Sequence, residues 1–580
     1  MLMFPRYTLV FFVFILLYTG LNIQLIHAEE DPLPSTVLNK ENESPLLLPK
    51  LKEDTEQRLS SAASVYVKKF NLDGNTVYSD DDLAFIVSPY EERDISSEEL
   101  HEVKNKISQF YYINGYVNSG AIIPDQEVSD GHIKIKIIEG ILPEISVSGN
   151  TWLRSEYISG RLKIATGDGK APLNINVLQD RLKIFKQDPI VENINAYLSP
   201  GLKLGEAELE VSVKEARPYF FNFEFSNSNS PSVGAYRGDF IFEHINLTGF
   251  GDRIRVKYGV TEGLDTYASK YVFPLNRWGT TFSLIADRSK SDVIIEPFNV
   301  LRICGDTTTL GFGLKHPFYK TVASEFIMGL NFERHKSNTY IDTDTNISFT
   351  SGVYHGESNV SVVSFSQEWI QKSLTQVIAA RSTISLGLDI FDSTHLPMEP
   401  DAEELLEGKK IDNIPTGSFA TWLGQFQWIN RIEDTQLITR LDVRLSDSPL
   451  LPIEKFAIGG RGTVRGYREN LMTPDNGIVA SLEWRIPVGQ FHIPALTKNQ
   501  KMGVITLAPF FDYGWGGNTK TQQPDPKSIS SIGLGARWQI CEKLYSEIYW
   551  GYALRDINDS TEHDLQDEGI HFLITANAFD

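Results

Sequence analysis

The segment Ile458–Asn470, IGGRGTVRGYREN, gathers three guanidinium groups, Arg461, Arg465 and Arg468, around the glycines Gly459, Gly460 and Gly462. A guanidinium presents a planar fork of donors that matches a carboxylate, and glycine lets a backbone turn tightly. The chemistry on offer is ion pairing by a pliable loop, with no bond made or broken. Signals for covalent chemistry are missing from the rest of the chain, which holds no G-x-S-x-G, no H-E-x-x-H, no Walker A loop and no C-x-x-C. The HEVKN at His101 lacks a second histidine and reads as the exposed face of a helix. No catalytic residue, metal ligand set or cofactor motif is expected.

Such a loop needs walls that carry carboxylates. From Pro218 onward the chain reads as sixteen strands, and the arginine loop joins the eleventh to the twelfth. In residues 477–488, Ile478, Ala480, Leu482, Trp484 and Ile486 share one face, while Ser481, Glu483 and Arg485 share the other. In 435–446, Leu437, Leu441, Val443 and Leu445 oppose Arg440, Asp442 and Arg444. Charge of this density is costly in a dry sandwich core; a membrane barrel instead turns one face to lipid and the other to a wet lumen.

The connections alternate between short (NLTG, NRWG, QKSL, NRIED) and long (His335–Glu357, Phe391–Gly417, Asp447–Asn476). Outer-membrane barrels show that asymmetry, with short periplasmic turns and long external loops. Trp422, Trp428, Trp484, Trp515 and Tyr513 suit interfacial aromatic girdles. Cys304 falls in a long outer loop and Cys541 in a short turn at the opposite rim, too far apart for the Cα separation of about 7 Å that a disulfide tolerates. The strand after the loop's exit strand reads PFFDYGWGG. With Leu507, Phe511, Tyr513 and Trp515 outward, Phe510, Asp512 and Gly514 point inward, where a loop folded into the lumen meets them.

The first part of the chain is organised differently. Arg6, the apolar run Leu9–Tyr18 and Ala28 describe a secretory signal peptide over residues 1–28. Its most apolar stretch is short of the ~20 residues that a membrane helix needs. Residues 29–63 form an acidic, proline-bearing linker. A repeat follows: VKKFNLDGNTVYSDDDL is echoed by LPEISVSGNTWLRSEYI, with Gly74-Asn75-Thr76 matching Gly149-Asn150-Thr151.

Each copy has a helical stretch, carried by Leu100, Val103, Ile107 and Phe110 in the first and by Val177, Leu178, Leu182, Ile184 and Phe185 in the second. Ser96 and Glu99 make an S-x-x-E capping box. Each copy closes on an alternating strand, within Gly131–Gly140 and Gly205–Ala216. Two small α+β modules, 64–140 and 141–216, result. The net charge of −21 argues against a nucleic-acid partner.

Specific motifs then carry a resemblance. VRGY at Val464, Arg465, Gly466 and Tyr467, together with F-x-D-x-G at Phe510, Asp512 and Gly514, resembles the paired motif of two-partner secretion transporters (TpsB type, the haemolysin secretion/activation family). GYVNSGAIIPDQEVSDGHIKIKIIEG is similar to the end of that family's first POTRA module, a periplasmic repeat, and the resemblance spans residues 65–580. It implies a membrane β-barrel of about 16 antiparallel strands over 217–580, preceded by two POTRA modules in the periplasm. It also implies that the loop 447–476 lies inside the barrel, braced by Arg465 on Asp512.

The implied function is export of a large secreted exoprotein, a haemolysin or adhesin, across the bacterial outer membrane. The implied surroundings are outer-membrane lipid and, during biogenesis, the barrel-insertion machinery. Two features depart from the family pattern: 29–63 shows no long amphipathic helix of the kind that plugs the pore, and Asp580 rather than Phe579 falls in the terminal outward phase of Ile570, Phe572, Ile574, Ala576 and Ala578.

Three alternatives share parts of this plan. A barrel-assembly or insertion factor has the same architecture with more periplasmic modules. A small-solute channel leaves the modules unexplained. An outer-membrane lipid hydrolase needs a serine and a histidine on neighbouring strands, for which Ser546 and His571 are the nearest candidates.

Overall fold

The computed structural model describes residues 46–47, 64–128, 130–341, 347–348, 356–395, 414–493, 502–557 and 564–578. The signal peptide, most of the linker, and Phe579 and Asp580 lie outside the described residues. The chain forms two compact units; one holds residues 40–218 with 248–251, and the other holds the barrel strands.

In the first unit both repeats build the same small sheet. Lys69–Asp73 runs parallel to His132–Ile138, which pairs antiparallel with Gly120–Ile122. Ile141–Ser148 likewise runs parallel to Glu206–Glu215, which pairs antiparallel with Val191–Pro200. Helices α1 (Asp80–Val87) and α2 (Ser97–Ile113) belong to the first copy, α3 (Ser155–Leu162) and α4 (Ile175–Lys186) to the second. Ser96 and Glu99 cap α2 reciprocally, and a box of Ser79 and Asp82 caps α1.

The core of the first copy joins Leu83 and Ile86 to Val103, Ile107 and Tyr111 over Ile133, Ile135 and Ile137. In α4 the buried stripe is Ile175, Leu178, Leu182 and Phe185. Val177, assigned above to the apolar face, is instead 46% exposed. Starting the stripe at Ile175 fits the three- and four-residue helical spacing, and Val177 falls off that face.

The shared Gly-Asn-Thr turn has a mechanical explanation. Gly74 and Gly149 adopt φ of +92° and +78°, a region that side chains disfavour. A Cβ on Gly149 would sit 2.5 Å from the Val213 carbonyl oxygen, and one on Gly74 would strike the Ile137 carbonyl. Asn75 donates to the Tyr78 carbonyl at 3.0 Å and Asn150 to that of Leu153 at 2.8 Å.

A carboxylate at the end of each central strand then clamps the turn. Glu139 accepts from the Val77 amide at 2.8 Å and from the Thr76 hydroxyl. Glu215 accepts from the amides of Thr151, Trp152 and Leu153. Glu139 also takes the Tyr111 hydroxyl at 2.9 Å. Burial, reinforced by that bond, pushes the Tyr111 phenol far above the ordinary tyrosine range.

The linker is not wholly apart from this unit. Leu46–Leu47 pairs in parallel with Ala196 and Tyr197, adding a fourth strand at the edge of the second copy's sheet. Two residues carry no periodic signal, so the pairing was not legible in the sequence.

The barrel closes sixteen antiparallel strands among the described residues. They begin with β1 (Tyr219–Ser226), β2 (Arg237–His244), β3 (Arg253–Val260), β4 (Leu264–Pro274) and β5 (Thr281–Asp292). Next come β6 (Ile303–Lys320), β7 (Ser324–Ile341), β8 (Glu357–Lys372), β9 (Gln376–Leu388) and β10 (Phe419–Ile432). The last are β11 (Thr435–Ser446), β12 (Asn476–Gln490), β13 (Val504–Gly517), β14 (Ser528–Cys541), β15 (Leu544–Ala553) and β16 (Ile570–Asn577). A two-residue strand at Ile347–Ser348 extends the outer end of β7. Closure comes from β1 on β16, between Asn222↔Asn577 and Ser226↔Leu573.

Alternation sorts the faces. Leu441, Leu445, Leu482, Trp484, Phe511, Tyr513 and Trp515 lie exposed on the outside, while Asp442, Glu483 and Asp512 are buried on the inside. β6 and β7 run eighteen residues each, beyond the 306–317 and 323–336 that apolar alternation marks. Their ladder continues through polar residues to the pair Ile303↔Ile341, past the apolar band. Cys304 therefore lies in β6 and not in a loop, and no disulfide joins it to Cys541.

Replacing Gly149 by Ala forces a Cβ onto the Val213 carbonyl at positive φ. The expected cost is about 1–3 kcal/mol. It is read as faster proteolysis within 141–216 of the intact protein, with the heat-modifiable gel mobility of the barrel unchanged.

Candidate functional site

The connection between β11 and β12 turns inward and lies against the inner faces of β11 to β16. Gly459 and Gly460 take φ of +115° and +99°, which sets the turn. Arg440 of β11 donates to the Gly462 carbonyl at 2.7 Å. Ile458, Val464, Tyr467 and Met472 bury themselves with Val479 and Ile529 in a small apolar cluster. The loop thus has its own packed core before its charges are considered.

Arg465 meets Asp512 through three donors. Its amide and Nε reach Oδ2 at 3.0 and 2.8 Å, and Nη2 reaches Oδ1 at 2.9 Å. Nη1 donates to Glu483. Ser481 receives Nη2 at 3.2 Å and passes its own proton to Asp512 Oδ1 at 2.6 Å. The guanidinium lies 3.7 Å above the Phe510 ring and 4.7 Å from that of Tyr549, so aromatic faces shield it from water and attract it electrostatically. Arg465, Glu483 and Asp512 are all buried.

The remaining motif residues have definite contacts. Gly514 leaves room for the loop: a Cβ there would lie 2.5 Å from Ile458 Cγ2 and 2.9 Å from Val464 Cγ2. Gly466, at φ +89°, lies so close to Gly551 that a Cβ would fall 2.8 Å from its carbonyl oxygen. Its amide donates to His571 Nε2 at 3.2 Å. Tyr467 donates to the Ser530 carbonyl at 2.9 Å and receives the Arg555 amide at 3.2 Å.

The other two arginines find carboxylates that sequence reasoning had not singled out. Arg461 pairs with Glu547, reaching Oε1 from Nε at 3.0 Å, and its amide donates to Glu469 at 2.7 Å. Arg468 forks onto Asp567 at 2.5 and 2.6 Å. Arg485 and Arg537 of the wall also bind Glu483 and Glu547, at 2.7 and 3.1 Å. The Glu469 amide donates to Gln566 at 2.9 Å, and Gln566 donates onward to the carbonyls of Asn227 and Asn229. The loop is thereby tied to the segments that lead into β16 and out of β1. Strand register brings Glu547 here and the turn before β16 brings Asp567; they lie 86 and 99 positions from their arginines.

The hydrolase pair is not assembled. Ser546 stands opposite Ile574, whereas His571 stands opposite Tyr549. Among the described residues no group of His, Cys, Asp and Glu is arranged to hold a metal ion, and no helix is long and apolar enough to cross a membrane.

A sixteen-stranded barrel with an inward arginine loop, preceded by repeated α+β modules, defines a class of outer-membrane transport proteins. Comparison with known proteins fixes the family. The haemolysin secretion/activation protein ShlB/FhaC/HecB profile matches residues 205–538, and the ShlB-type POTRA domain matches 65–140. The chain belongs to this family: it is an outer-membrane transporter of two-partner secretion, with POTRA modules in the periplasm.

The chain is 24% identical over 538 residues to the heme/hemopexin transporter protein HuxB of Haemophilus influenzae (strain 86-028NP), covering 86% of this chain and 87% of the relative. It is 20% identical over 483 residues to the outer membrane transporter CdiB of Dickeya dadantii (strain 3937), with 81% and 79% covered. The solved structure of CdiB from Escherichia coli superposes with a TM-score of 0.66 at 17% identity, over 90% of this chain and 92% of that one.

Asp512→Asn or Arg465→Ala leaves a buried charge without its partner. Either is expected to weaken the loop's seat by about 3–5 kcal/mol. Joint replacement by Arg465→Met and Asp512→Leu, which removes both charges, is expected to cost less than either single change. Protease cleavage within 458–470 of the detergent-solubilised protein measures all three.

Proposed function

We propose that the chain exports one large secreted protein of the haemolysin or adhesin type. This client docks in the periplasm as a strand added to the POTRA sheet edge and then passes through the barrel as the arginine loop yields. The observation that carries the docking step is the parallel pairing of Leu46–Leu47 with Ala196 and Tyr197. An unpaired edge strand offers a row of amides and carbonyls, and an extended segment can satisfy them while side-chain pockets choose among clients. The linker's own segment already uses part of that edge, so a client competes with it for the same backbone groups.

The loop supports the transport step. Its arginines satisfy their charge on wall carboxylates, so the lumen is braced without a covalent tie, and the positive-φ glycines give it a hinge. The chain carries no nucleotide-binding motif. Folding of the client outside, which prevents its return, supplies the direction. Export by this route needs no catalytic step, and outer-membrane lipid and the insertion machinery enter as surroundings of the barrel.

Mass spectrometry of culture medium and outer membranes from a gene-deletion strain tests the proposal. The expected result is loss of one large protein, restored by the intact gene and poorly by Arg465→Ala, with the variant barrel still inserted. A fall in many barrel proteins would point instead to an assembly factor. Full export by Arg465→Ala would remove the brace from the mechanism. Substituting Leu46 by Pro and Leu47 by Gly is expected to tighten client binding to the purified transporter, because the edge is then uncontested.

A further inference from the structure

The barrel exterior carries two aromatic ladders: Phe223, Phe240, Tyr258 and Tyr267 stay within the strands, and the other ends on a residue outside them. Phe282, Phe312, Phe332 and Phe391 form this second ladder, with ring centroids 6.3, 5.3 and 6.0 Å apart in turn. The first three come from β5, β6 and β7, but Phe391 lies beyond the end of β9. It and Asp392 take φ of +56° and +57°, uncommon for residues with side chains, and this turn lays the ring against the wall beside Phe332.

Beneath the ladder is a groove of about 520 Å³, lined by Tyr271, Leu284, Leu310, Phe312, Phe332 and Phe391, with Arg334 at one end. β7 runs from a short turn to a long connection, so Arg334 lies in its outer half, toward the outer leaflet. The cations around it are matched: Arg288 pairs with Asp306 at 2.7 Å and Lys336 with Glu357 at 3.8 Å. Among the described residues no carboxylate pairs with Arg334, and its Nε is buried with no hydrogen-bond partner. Its guanidinium lies 6.0 Å from the centroid of the Phe391 ring, which attracts it weakly but supplies no counter-charge; a cation on a lipid-facing surface is unfavourable, and a phosphate is the anion its fork fits best.

We propose that this groove binds one lipopolysaccharide molecule of the outer leaflet, an acyl chain lying along the phenylalanine ladder and a lipid A phosphate on Arg334. The apolar floor and the cationic outer end match the two parts of that molecule in the order in which the leaflet presents them.

Native mass spectrometry of the full-length transporter in mild detergent tests this. The wild type is expected to keep one lipid A-containing adduct. Arg334→Gln and Phe391→Ala are each expected to lower its occupancy at least about tenfold, with the heat-modifiable mobility of the barrel retained. Phe391 lies outside the strands, so that variant decides the matter if Arg334→Gln fails to insert. After delipidation, purified lipid A is expected to restore the adduct and phosphatidylglycerol is not. Retention of the adduct by both variants, or equal uptake of phosphatidylglycerol, would overturn the assignment.

Discussion

The buried guanidinium of Arg465 organises the lumen side of this barrel. A charge out of water is tolerated only when its donors and its field are both satisfied, and here two carboxylates, a serine and two aromatic faces do so together. The demand reaches outward from that point. Phe510 and Gly514 are required on the same strand as Asp512, one as the floor under the guanidinium and the other as empty space for Ile458 and Val464. The F-x-D-x-G spacing is the period-two alternation of a strand, written with the three residue types that this contact needs.

Much of this was legible before any coordinates. Alternation of apolar and charged residues marked the strands and their faces, because lipid and lumen impose opposite chemistries on adjacent residues. The glycines and arginines marked the loop. What could not be read was register. Nothing local to Arg461 or Arg468 points to Glu547 or Asp567, and His571, weighed above as a hydrolase residue, spends its Nε2 on the Gly466 amide. Strand ends lie beyond the apolar alternation where polar residues continue a ladder past the apolar band, as in β6 and β7. Val177 shows that an apolar side chain need not lie on the apolar stripe of its helix.

The periplasmic repeats show a different economy. Each uses a positive-φ glycine, an asparagine that holds the turn from within, and a glutamate at the end of the central strand that gathers the turn's free donors. The clamp lies at the end of the central strand, so the strand edges remain backbone surfaces. One such edge is already partnered by Leu46–Leu47.

The charge balance of the seated loop has an electrical consequence. Residues 458–470 contribute Arg461, Arg465 and Arg468 against Glu469, a net of +2 (three minus one). The groups that meet them, five on the wall and Asp567 in the turn before β16, are Glu483, Asp512, Glu547 and Asp567 against Arg485 and Arg537, a net of −2 (two minus four). With the loop in place these groups cancel. On the mechanism proposed above, withdrawing the loop leaves these six groups with a net of −2 on the surface that it covered. The loop's departure therefore changes the local electrostatics of that patch as well as the space beside it.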